Sequence, residues 1–322
     1  MKDIIGAIFT THFLFTVLRL TTPLIFAALS ALIARAAGIR NITIEGTMLM
    51  TALTGVLVSA YTRSLPFAVA CALLAGVLMG FLLAYFHLKL DTDILLSGIA
   101  INMVANGGTV FLLYVFAGDK GSSERLTSQV LPTVELPLIR DIPVLGEVLS
   151  GHNVLTYVAF GSVFLVWFLM FKTPVGLRIR AVGEYPEAIE SVGKNATAIK
   201  LFALALSGFF AALGGIFLSM GYMNFFVKNM AAGRGFIGVA ADYMGGGNPF
   251  GALAASLLFG IADACANTMQ TMSIPAELVL CIPYAVTILG LVFYAAETKR
   301  LRCRQKKKAL QSLRAGGEAG EP

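Results

Sequence analysis

The strongest constraint on this chain is a succession of apolar runs long enough to cross a bilayer, each closed by charges or by clusters of Gly, Pro and Asn. A helical span takes roughly 20 apolar residues. Runs of that kind lie at about 14–34, 42–60, 66–87, 94–117, 153–171, 201–221, 249–266 and 278–296, with a shorter, Gly-rich run at 235–245. Charged residues make up 13% of the 322 and hydrophobic ones 57%, whereas soluble proteins carry about 25% charged residues. Lipid is the solvent. The expected fold is an all-α polytopic membrane protein with about nine transmembrane helices. It comprises a membrane domain at 1–298 and a basic tail at 299–322. The run at 235–245 reads as a half-helix or re-entrant segment that does not cross alone.

The net charge of +6 is concentrated in Lys299 to Lys308, directly after the last apolar run. That placement fits the positive-inside rule and argues against a nucleic-acid platform. Residues 172–200 carry Lys172, Arg178, Arg180, Lys194 and Lys200, so they and the tail are expected in the cytoplasm. Residues 118–152 are richer in acids and are interrupted by Pro132, Pro137 and Pro143, which discourage helix. They are expected outside, as is the amino terminus, with the carboxyl terminus cytoplasmic. Cys71, Cys265 and Cys281 lie in apolar segments and Cys303 in the tail, so no disulfide framework is implied. Arg19 and the length of the first run argue against a cleaved leader.

Ala28-Leu29-Ser30 followed by Gly38-Ile39 is echoed by Ala205-Leu206-Ser207 followed by Gly215-Ile216 at the same spacing. The echo is either coincidence or the trace of an inverted repeat, a common transporter architecture. Gly233-Arg234-Gly235-Phe236-Ile237-Gly238 matches the dinucleotide fingerprint by letters alone, because no strand or βαβ unit surrounds it. It is expected instead to open a helix near the outer face, with Arg234 as an anchor. No phosphate-binding loop is present, since Gly193-Lys194 is followed by Asn195. His12, His87 and His152 are scattered without metal-ligand spacing. No catalytic residues, metal site or cofactor is expected in this chain.

Polar side chains within the spans are costly and should face protein or water. Asn102, Asn106 and Thr109 share one helix face, and Asp263, Asn267 and Gln270 share another. Each stripe suits a hydrated path for a polar solute or hydrogen-bonded helix packing, and the sequence leaves both open. Glu45 and Asp242 sit in short Gly-flanked segments, where a helix end exposes backbone groups to a solute. For Glu45 the plainer reading is an ion pair with Arg40. The candidate path residues are thus Glu45, Asn102, Asn106, Asp242, Asp263 and Asn267.

Between Arg178 and Thr197, Pro186 suits a helix start, Glu187 and Glu190 suit its first half, and Gly193 suits its end. Such a short helix is either a docking knob for a soluble partner or an ordinary interfacial loop helix.

Several segments carry a resemblance: Asn41-Ile42 through Glu45-Gly46, Ser97-Gly98-Ile99-Ala100, Gly176-Leu177-Arg178 through Ala188, Ala232 through Ile237, and Asn248-Pro249 with Gly251-Ala252. Together they resemble the permease subunits of ABC importers of the ribose and branched-chain amino acid type, especially the nucleoside or simple-sugar branch. The resemblance implies an import complex in a bacterial cytoplasmic membrane. Its partners would be a second permease, identical or homologous, an ABC ATPase and an extracytoplasmic solute-binding protein. It also implies that Arg180, Gly183, Glu184, Pro186, Glu187 and Gly193 belong to a segment seated in the ATPase. Tyr185 and Lys194 depart from the family pattern in the segment implied to meet the ATPase, and Tyr243 to Gly247 depart from it near the implied path, which leaves nucleosides, ribose-like sugars and riboflavin all as solutes. An ion-coupled secondary transporter using Asp263 or Asp242 is the alternative. A membrane enzyme or scaffold acting on a lipid is the third reading.

Overall fold

The computed structural model describes residues 10–135, 145–270, 285–290, 292, 296 and 300. The tail and most of the span expected at 278–296 lie outside them. Among the described residues the long helices are α1 (Thr11–Ala36), α2 (Ile44–Thr62), α3 (Leu65–Ala84), α4 (Ile94–Ala117), α6 (Val154–Lys172), α9 (Ala196–Ile216) and α11 (Pro249–Gln270). Short helices α5 (Leu145–Leu149), α7 (Pro174–Glu184), α8 (Pro186–Ser191) and α10 (Arg234–Met244) lie between them. A two-residue hairpin pairs β1 (Thr133–Val134) with β2 (His152–Asn153).

Side chains set many of the helix starts. Thr10, Asp93, Asn153, Thr173 and Asn195 each accept a bond from a backbone N–H in the first turn of the helix that follows. Pro174 and Pro186 stand at first-turn positions, where the missing N–H costs nothing. Hydroxyls within the spans turn back on their own helix, as when Thr21 donates to Val17 O at 2.7 Å and Thr51 to Thr47 O at 2.8 Å. Helices α3 and α9 each end in a π-helical turn, Tyr85–Lys89 and Phe217–Tyr222.

Seven helices, the two π-turns included where they extend one, are long and apolar enough to span a membrane. They coincide with seven of the runs found in the sequence. The run at 235–245 folds as α10, only 11 residues long, after an irregular stretch in which Phe226 N donates to Ser123 Oγ and Ser123 N to Phe226 O, both at 2.8 Å. Irregular backbone and short helix together carry the chain from the end of the bundle holding Ser123 to the end holding Arg35.

Helix α1 is the centre, apolar on all sides and almost wholly buried from Leu20 to Ala34. It packs against α9, α10 and α11, while α9 packs against α1, α2 and α3. The arrangement is reciprocal: exchanging α1, α2 and α3 for α9, α10 and α11 reproduces it. Ser30 and Ser207 lie where the two central helices cross. Ser30 Oγ donates to Ser207 O at 2.8 Å and Ser207 Oγ to Ser30 O at 2.9 Å. The echo in the sequence is therefore a contact between equivalent positions of an inverted repeat. Close approach of α3 and α9 depends on small residues, because a Cβ on Gly76 would stand 2.6 Å from Gly208 O and one on Gly80 would overlap Leu204 O.

Helix α4 is peripheral, with 22% of its apolar window inside the molecule, so most of that surface is left for lipid or another subunit. The two ends of the bundle differ in charge. Arg35, Arg40, Lys89, Lys172, Arg178 and Arg180 gather at the Ala36 end, and the loop with Asp119 and Glu124 lies at the other.

Candidate functional site

The site is built around the way the chain leaves α1. Gly38, with φ of +79°, closes the helix: its N–H donates to Arg35 O at 2.9 Å and that of Ile39 to Ala34 O at 3.0 Å. This is the left-handed glycine termination that answers the last carbonyls of a helix. It also turns the chain back into the bundle. Asn41 then lies beside the Ser30 and Ser207 pair, its Nδ2 donating to Ser207 Oγ at 2.9 Å. Its Oδ1 accepts from Thr43 N at 2.9 Å and Thr43 Oγ1 at 2.6 Å, an Asx turn that starts α2 inside the bundle. Asn102 of α4 clamps the same turn, accepting from Gly46 N and donating to Ile42 O, each at 2.9 Å.

Glu45, only 7% exposed, completes the junction. Its two carboxylate oxygens accept from Gly233 N and Gly235 N, both at 2.7 Å. One side chain of α2 thus caps the amino terminus of α10, joining a charge-assisted pair of bonds to the positive end of a helix dipole. Gly233, with φ of +82°, bends the chain so that these N–H groups converge. The partner expected from sequence, Arg40, is not the one observed. Arg234 acts electrostatically on both Glu45 and Asp263, and its Nη1 donates to Met230 O at 3.3 Å. The Gly-Arg-Gly motif lies beside the first turn of α2, about 25 Å from that helix's far end. It sits there because Glu45 answers its free N–H groups.

The other path candidates are spread more widely. Asp242 is buried at the far end of α10 and pairs with Arg35, Oδ2 to Nε at 2.6 Å and Oδ1 to Nη2 at 2.8 Å. Arg35 also lies over the Tyr243 ring, 5.3 Å from its centroid. A cleft of about 90 Å³ between these groups is lined by Arg35, Arg40, Asn41, Asp242 and Tyr243. It leads from the basic end toward the Asn41 turn. Asn106 and Asn267 are exposed on the outside of this chain, away from the junction, and Thr109 Oγ1 bonds to Asn106 O at 3.0 Å. A groove of about 440 Å³ between α3 and α4, lined by Met79, Leu82, Phe86, Leu96 and Val104, is apolar almost throughout. At the end opposite Ala36 a polar cavity of about 180 Å³ is lined by Arg19, His152, Asn153 and Thr156.

The segment expected to dock a partner is α7 and α8. Glu184, Glu187 and Gly193 are exposed, Pro186 is half-buried, and the apolar side chains of Leu177, Tyr185 and Val192 stand out into the open. Arg180 stacks over Phe171 at 4.8 Å and anchors α7 to α6. Gly183 faces inward. A Cβ there would overlap Ala36 O, and one on Gly38 would lie 3.0 Å from Gly183 O, so the two backbones touch. Nothing in the spacing of the sequence announced that contact, nor the capping of α10 by Glu45.

The family described as branched-chain amino acid transport system, permease component, matches residues 13–295. The guanosine ABC transporter permease protein NupQ of Bacillus subtilis is 35% identical over 280 residues, covering 84% of this chain and 87% of that protein. The nucleoside ABC transporter permease protein NupC of Lactococcus lactis is 31% identical over 287 residues, 85% of this chain and 89% of that protein. A putative glucose ABC transporter permease of Haloferax volcanii is 26% identical over 328 residues, 94% of this chain and 98% of its own. No solved structure matches the chain.

Proposed function

This chain belongs to the branched-chain amino acid transport system permease family, and on that premise we propose that it carries a nucleoside across the bacterial cytoplasmic membrane. It is the permease subunit of an ABC importer, a polytopic bundle that supplies the path. The nucleoside is favoured by likeness to relatives named for guanosine and nucleoside transport over most of both chains. Sugars such as the glucose in another relative's name are the runner-up. ATP hydrolysis is assigned to a partner ATPase, in keeping with the missing phosphate-binding loop, and no cofactor is assigned to this chain. A second permease and an extracytoplasmic solute-binding protein complete the proposed assembly.

The basic end is taken as cytoplasmic, following the positive-inside rule. The observation that carries the coupling role is Gly183, held backbone to backbone against Gly38 while its neighbours Glu184, Tyr185 and Glu187 stay exposed. A partner seated on those exposed residues pushes on the permease core through no intervening side chain. Within the path, the polar groups running from the Arg35 cleft to Asn41 are the candidate solute contacts, while both carboxylate oxygens of Glu45 are held by Gly233 and Gly235. Asp242 is already paired with Arg35, which favours this reading over a proton-coupled carrier that would use it.

The test is uptake by the purified complex in vesicles, with guanosine, uridine, ribose, glucose and riboflavin as solutes and ATP inside or absent. ATP-dependent nucleoside uptake by a complex that retains an ATPase is expected. Uptake driven by a proton gradient, with no ATPase copurifying, overturns the reading.

A further inference from the structure

The contacts described above form one continuous chain. It begins at Gly183, where two backbones meet without a side chain between them. It continues through residues 37–43, where Ala37, Ile39, Asn41 and Thr43 are buried in the bundle while Gly38 and Arg40, alternating with them, are exposed. Asn41 binds this stretch to Ser207, and Asn102 binds its end to α4. It finishes at Glu45, whose carboxylate holds Gly233 and Gly235. A close-packed interior transmits displacement because it has no slack. The far end of α10 is tied separately, to α1 by Arg35 and Asp242, and beside α11 by the close approach of Gly245 and Gly251. A shift arriving at Glu45 therefore falls on the amino-terminal end of α10, where irregular backbone from Met223 to Gly233 can take up the motion.

We propose that Gly38 and Glu45 are positioning residues of a mechanical relay, in which displacement of the α7 and α8 segment is passed to the amino terminus of α10. The proposal rests on the coupling reading of Gly183. It assigns Glu45 a role distinct from solute contact: it is the grip by which one half of the repeat moves the other. Its charge matters as well as its shape, since a carboxylate accepts both N–H bonds at once whereas a primary amide offers one acceptor oxygen.

The test compares transport with ATP hydrolysis in the complete importer reconstituted in vesicles. Glu45→Gln keeps the size of the side chain and removes one acceptor and the charge. Gly38→Ala places a Cβ against the Gly183 carbonyl at a φ that disfavours it. In each variant ATP hydrolysis should persist while solute moved per ATP falls, by at least about tenfold in Glu45→Gln, the scale of one lost charge-assisted hydrogen bond. The double variant should be little worse than the more severe single one, because both break the same chain. If Glu45→Gln lowers the amount of assembled complex, Gly38→Ala alone carries the measurement. An unchanged ratio of transport to hydrolysis, or losses that multiply in the double variant, overturns the relay and leaves the permease reading intact. A wild-type complex that shows no ATP-dependent uptake overturns the reading beneath it.

Discussion

Arg35 and Asp242 illustrate what a single pair does in this bundle. Asp242 is buried, and its charge is tolerated because the guanidinium of α1 meets it at 2.6 Å. Removing one partner strands the other, so Arg35→Ala should cost about 3 kcal/mol and lower the unfolding temperature in detergent. Arg35→Ala with Asp242→Ala should cost less than the sum of the two single changes, since neither charge is then left alone. His152 makes a pH prediction outside the spans. Burial pushes its pKa below the ordinary 6.5, opposed by the bond to Val148 O, with the nearby Arg19 charge adding to the depression. The folded state therefore favours neutral imidazole. Its contribution to stability is full above the unfolded value and is lost as pH falls from about 6.5 toward the lower folded value. Melting curves between pH 7 and pH 5 should show a fall in wild type that is smaller in His152→Phe, which keeps the stacking on Phe15 seen at 3.9 Å.

Pairs of elements meet in this fold through small residues and reciprocal hydroxyls. Gly208→Leu should force α3 and α9 apart, because even a Cβ there overlaps Gly76 O. A cost of at least about 3 kcal/mol, at the upper end for overpacking, should appear as loss of monodisperse protein on size-exclusion chromatography. Ser30→Ala removes the bond to the carbonyl of Ser207 and should cost about 1 kcal/mol, the scale of such bonds in bilayers, read from thermal unfolding. The sequence made these elements legible to different degrees. The long helices could be read because each carries its own apolar run and a capping residue such as Asp93 or Asn195. The short helix α10 was visible as a half-length run, yet nothing in that run shows what holds its start. What places it is Glu45, a residue 188 positions away from Gly233. The echo around Ser30 and Ser207 was present in the letters, but only the crossing of α1 and α9 distinguishes it from chance.

The whole molecule has two chemically different ends, and its proposed orientation gives a direct prediction. In a variant lacking native cysteines, Ser191→Cys on α8 should react with an impermeant thiol reagent only after the membrane is opened. Ser128→Cys, in the loop near Asn224, should react in intact cells. The reverse pattern would invert the orientation, placing α7 and α8 away from any cytoplasmic ATPase. At this scale the sequence by itself determined the solvent, the helical class, the positions of the spans and the segregation of charge. Those properties follow from local composition, because the cost of placing a residue in lipid is set largely by that residue and its near neighbours. Only the tertiary structure decided that Glu45 caps α10 rather than pairing with Arg40, that Asp242 answers Arg35, and that Gly183 rests on Gly38. A buried polar group must find a partner, and which partner it finds depends on which distant segments the packing of helices brings within about 3 Å.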